Sequence, residues 1–146
     1  MSRPYHRGEI NKAFEKIKAK LHSEAVLKGR GRAFYFDSYT GNELRGGDPY
    51  DYDHVYPSEM IHTLLKDDFT DEEIAEIVNL RENIAVTLRA INQSKGKKNP
   101  EVWMKEEALV NHGLIDLGKV NDAVFAAKSA INKKIKQMSG GSCAGI

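Results

Sequence analysis

The chain has a single cysteine, Cys143, among its 146 residues. One thiol excludes an intrachain disulfide and a cysteine-cluster zinc site, and it is compatible with a reducing compartment. No apolar run approaches the roughly 20 residues of a membrane span, and the N-terminus lacks an apolar signal core. A cytoplasmic protein without a membrane partner is therefore expected. No internal repeat is present. Four of the five histidines (His6, His22, His62 and His112) have no ligand-like partner at metal spacing and read as surface or core residues. A large net charge is missing too: the formal total is +1.

What is present is ordinary in bulk and uneven in detail. Hydrophobic content of 40% and charged content of 29% suit one globular domain. The charge is segregated: residues 1–33 carry net +6, residues 34–83 net −10 and residues 84–146 net +5. An acidic centre with basic flanks suits a cation site approached by a polyanion. Most of the central acids, from Asp67 to Glu76, read instead as a solvated helix face.

Periodicity predicts a helix from Glu9 to about Lys28, with Ile10, Phe14, Ile17 and Leu21 on one stripe. Arg32–Tyr39 reads as a strand, and Tyr39-Thr40-Gly41-Asn42 as a turn. Tyr50–Tyr56 alternates, with Tyr50, Tyr52, His54 and Tyr56 on one face and Asp51, Asp53 and Val55 on the other. Pro57 ends that strand. Residues 58–66 and 70–81 read as two short helices, the second opened by the capping-box pattern Thr70-Asp71-Glu72-Glu73. Residues 84–87 suggest a strand, and 88–95 a helix stopped by Gly96. Pro100 starts another helix, for which Val102, Trp103, Ala108, Leu109 and Val110 supply packing groups; Gly113 punctuates it. Leu117–Met138 has the longest helical repeat, and 139–146 reads as a flexible tail.

The densest chemistry lies in Tyr50-Asp51-Tyr52-Asp53-His54-Val55-Tyr56-Pro57. Phosphodiester hydrolysis needs an in-line water, charge relief on the phosphate and a stabilised leaving alkoxide. Carboxylate and amide oxygens suit a hard divalent ion, and a neutral imidazole can take a proton from water. Neighbouring residues of a strand point to opposite faces, so Asp53 and His54 can serve one phosphate only where the strand bends or ends. Taken alone, Asn83 also fits a cap, and Asn92-Gln93-Ser94-Lys95-Gly96 an ordinary helix C-terminus.

Together, Asp53-His54, Asn83 and Asn92, with Lys95 three residues later, resemble the HNH (ββα-metal) endonuclease family. The Tyr50–Pro57 stretch looks most like the zinc-free HNH domain of RNA-guided CRISPR effector nucleases. That variant also has a Tyr-Asp-x-Asp-His-x-x-Pro strand, an Asn before a short apolar strand and a second Asn nine residues on. The resemblance covers roughly residues 34–98. It departs from the variant in the 28 residues between His54 and Asn83.

The resemblance implies an α+β fold, mainly α by content: a ββα-metal core (a β-hairpin plus a helix) with a helical insertion and flanking N- and C-terminal helices. One domain would span 1–138, with a basic N-terminal helix in 1–31, the core in 32–98, the insertion in 58–81 and C-terminal helices in 99–138. It implies a magnesium-dependent endonuclease that cuts DNA, double-stranded by preference, leaving 5′-phosphate and 3′-hydroxyl ends. His54 would be the general base, and Asn83 would hold it by hydrogen bonding. Asp53 and Asn92 would bind Mg²⁺, for which Mn²⁺ or another divalent ion can substitute; no structural zinc is expected. Arg89, Lys95 and Lys97 would contact phosphates, while Asp51 is a candidate to bind the metal or to support its ligands, with no firm role assigned. A homodimer is one route to a double-strand cut. The rival readings are a non-catalytic nucleic-acid-binding module on the same fold and a nuclease toxin domain.

Overall fold

The computed structural model describes residues 4–106 and 115–146. Helix α1 (Gly8–Lys28) comes first, followed by strands β1 (Phe34–Phe36), β2 (Glu43–Arg45) and β3 (Tyr50–His54). Helices α2 (Ser58–Leu65) and α3 (Asp71–Val78) follow, then a 3-10 turn (Arg81–Asn83), β4 (Ile84–Leu88) and α4 (Arg89–Lys95). The short α5 (Pro100–Trp103) and the long α6 (Leu117–Ser139) complete the order. The fold is α+β and mainly helical, with two small antiparallel hairpins. No helix among the described residues is long and apolar enough to cross a membrane. Ala108, Leu109, Val110, His112 and Gly113 lie outside the described residues.

The long helices follow their apolar stripes. Val120, Val124, Ala127, Ile131 and Ile135 of α6 are buried, as are Ile10, Leu21 and Ala25 of α1. Thr70 and Glu73 close the capping box at the start of α3: the Thr70 hydroxyl accepts from Glu73 N, and Glu73 accepts from Thr70 N. The core lies where α2, α3 and α6 meet, and it includes Tyr56, Ile61, Leu65, Ile74, Ile77, Trp103 and Ile131.

The strands pair in a way the sequence does not declare. β1 pairs with β2, a segment the turn residues around it disguise, with Phe34 opposite Arg45. β3 pairs with β4, so that Tyr50 faces Leu88 and His54 faces Ile84. The helical insertion therefore sits between the two strands of a single hairpin, and α4 follows that hairpin directly. Asp37 ties the hairpins together. Its buried carboxylate accepts from Tyr39 N, Thr40 N, Thr87 Oγ1 and Leu88 N.

The tail is folded rather than free, which corrects the expectation for 139–146. Gly140 and Gly141 take positive φ (65° and 92°), a turn that glycine makes without strain. The chain then doubles back, Ile146 N donates to Asn132 Oδ1 at 2.7 Å, and Cys143 and Ile146 pack against the core.

Candidate functional site

β3 and α4 build the site by setting one face of the helix against one face of the strand. Asp51 and Asp53 share one face of β3, about 6.7 Å apart along the strand. Arg89, Asn92 and Lys95 recur every three residues along α4, a rise of about 4.5 Å. Asp51 meets the first two: Arg89 Nε lies 3.2 Å from Oδ1, and Asn92 Nδ2 donates to Oδ2 at 3.2 Å. Asp53 meets the third, with Lys95 Nζ 3.0 Å from its Oδ2, and Tyr39 OH donates to the same oxygen at 2.8 Å.

The other face of β3 turns to α1. Tyr52 OH shares a 2.5 Å hydrogen bond with Tyr35 OH, and the His54 ring lies 4.2 Å from that of Phe14. Of the alternation expected along Tyr50–Tyr56, the strand carries only the part from Tyr50 to His54; Val55 and Tyr56 lie beyond its end. The strand ends at His54, so Asp53 and His54 nevertheless reach one cleft of about 200 Å³. Asn92, Ser58, Arg7 and Lys97 line it too.

His54 is 8% exposed, and its Nε2 lies 2.9 Å from Asn79 Oδ1. Burial is the main force that pushes its pKa down, to about 4. The Asn79 contact opposes that shift, while Arg7, Lys95 and Lys18 add to it. The ring is therefore neutral at neutral pH. The sign of the stability effect follows. Between about pH 6.5 and 4 the unfolded histidine binds a proton that the folded one refuses, so stability falls as pH falls through that window. Above 6.5 this contribution is flat. In EDTA-containing buffer the wild type should lose up to about 3 kcal/mol more than His54→Gln between pH 7 and pH 4. Parallel urea midpoints for the two proteins would show that the ring is not held neutral.

Burial likewise raises the Asp53 pKa, with Lys95 and Tyr39 pulling it back, and lowers that of Lys95. The two form an ion pair in which Lys95 is fully buried and Asp53 keeps an edge on the cleft.

Several expected roles change. Lys95 is no phosphate contact: it is 0% exposed, and its ammonium is consumed by Asp53 and by the His54 carbonyl at 2.9 Å. Asn83 makes no hydrogen bond to the His54 ring. Its amide accepts from Tyr56 N at 2.8 Å and donates to Tyr56 O and Val78 O, which pins the chain just after His54. Arg89 pairs with Asp51 on the surface. Lys97 is exposed and lies 3.6 Å from Glu59. Sequence reasoning missed Asn79 and Tyr39. Asn79 reads as the end of a helix and Tyr39 as part of a turn, and neither carries a spacing signal.

Two oxygens remain for a metal. Asp53 Oδ1 and Asn92 Oδ1 accept no hydrogen bond among the described residues, and both residues line the cleft. A carboxylate and an amide fit Mg²⁺, which keeps waters and phosphate oxygens in its remaining positions. No group of three or more His, Cys, Asp or Glu able to hold a metal ion occurs among the described residues.

No family model, no curated protein and no solved structure matches the chain in comparisons with known proteins.

Proposed function

We propose that the chain is a metal-dependent HNH-type endonuclease that hydrolyses DNA phosphodiester bonds. The supporting observation is the meeting of Asp53, His54 and Asn92 at one cleft, although they come from the end of a strand and from a helix 38 residues further on. His54, neutral and aromatic-walled, takes a proton from the attacking water. Arg7 and Lys97 add positive charge beside the scissile phosphate. Asp53 and Asn92 would hold Mg²⁺, which when bound relieves charge on the phosphate and on the leaving 3′ oxygen. The products carry 5′-phosphate and 3′-hydroxyl ends, and a double-strand cut takes two engagements or a homodimer.

One observation favours a second reading, a DNA-binding module without turnover. The Lys95 ammonium already neutralises Asp53, so the carboxylate has less need of a second cation. Supercoiled plasmid separates the two readings. The nuclease relaxes it with Mg²⁺ and leaves it intact with EDTA. Retarded migration with no nicking at any protein concentration would favour the binding module.

A further inference from the structure

Asn79 follows directly on α3, and its side-chain amide is held at both ends. Nδ2 donates to Ala75 O at 2.8 Å and to Ile10 O at 3.1 Å. Both partners are carbonyl oxygens and can only accept, so the NH₂ end must face them. Turning the amide over would set Oδ1 against two oxygens and lose both bonds. Oδ1 is therefore fixed toward His54 Nε2, 2.9 Å away, and that nitrogen must carry a proton to donate. In a neutral imidazole the lone pair is then on Nδ1. Nδ1 has no hydrogen-bond partner among the described residues, and His54 lines the cleft. Phe14, against the ring, restricts its movement.

From this geometry we infer that Asn79 is a positioning residue: it locks His54 in the Nε2–H tautomer and leaves Nδ1 as the atom that accepts the proton of water. The tautomer half stands on hydrogen-bond geometry; the proton-transfer half rests on the nuclease reading. The inference gives the insertion a task. α3 carries Asn79 to the base, and the bond to Ile10 O fastens α1 to the same point. The insertion thereby becomes part of the site rather than a spacer between β3 and β4.

Long-range proton–nitrogen NMR on the whole ¹⁵N-labelled chain tests the lock without any activity assay. Wild type should show one protonated ring nitrogen for His54, Nε2, a bare Nδ1, and an Hε2 proton protected enough to be seen. Asn79→Ala should lose the Hε2 signal and lower kcat for plasmid nicking at least about tenfold with KM for DNA unchanged. The wild-type spectrum needs no variant, so it decides the tautomer even if the alanine variant fails to fold. A wild-type His54 protonated on Nδ1 would overturn the inference, as would an alanine variant that keeps both its Hε2 signal and its turnover. Wild type with the expected tautomer but no nicking would remove the nuclease reading and leave the tautomer lock standing.

Discussion

Replacing His54 with alanine should lower Mg²⁺-dependent nicking by a factor of about 10² to 10⁴, while DNA binding in Ca²⁺ persists. The expectation rests on what remains. Asp53, Asn92, Arg7 and Lys97 still line the cleft, so the phosphate still has its charge partners. On the proposed reading only the proton acceptor is gone. The substitution also has a structural cost: Asn79 Oδ1 loses its partner and a hollow opens beside Phe14, together about 2–4 kcal/mol. A thermal melt must therefore accompany the initial rates, and His54→Gln, which can still donate to Asn79, serves as the gentler variant. Unchanged cutting by a folded His54→Ala protein would show that another group activates the water.

The second large effect concerns stability. Lys95→Met should lower the unfolding free energy by about 3–5 kcal/mol, read from urea denaturation at pH 7. Removing the ammonium leaves Asp53, 7% exposed, with only the Tyr39 hydroxyl, and leaves the His54 carbonyl without its donor. The loss should shrink toward acid pH. Without Lys95 the folded Asp53 pKa lies higher still, so the folded state binds the extra proton and stability declines as pH rises above the ordinary aspartate value. Asp53→Asn combined with Lys95→Met removes both charges and should recover much of the difference. Salt dependence of DNA binding separates this role from a phosphate contact. A buried Lys95 leaves the slope of log K against log salt unchanged, whereas losing a phosphate contact lowers it by about one. A stability loss under about 1 kcal/mol together with a reduced slope would place the ammonium on DNA instead of on Asp53.

How much of this was legible in the sequence depends on the range of the interactions involved. The α6 stripe, the α3 capping box and the Tyr50–His54 alternation are local patterns, and each appears in the structure where its residues put it. The pairing of β3 with β4 and of β1 with β2 is not local. A three-residue strand such as Glu43–Arg45 has no period long enough to read. Lys95 looks like a solvated helix-end lysine until α4 is set against β3, where helix spacing and strand spacing bring its ammonium onto Asp53. Asn79 was illegible for a related reason. Its three partners, Ile10, Ala75 and His54, come from three elements, and no single window of sequence contains them.

The hairpin that carries His54 is closed by residues 55–83, not by a tight turn. Closing a loop of that length costs about 2 kcal/mol more chain entropy than a two-residue turn. What offsets this is the loop's own content: Ile61, Leu65, Ile74, Ile77 and Val78 are all buried. The strands are therefore joined through a packed helical pair rather than through a tight turn. Asp53 and His54 stand at the mouth of a closed helical loop, and that same loop supplies the amide that grips the His54 ring.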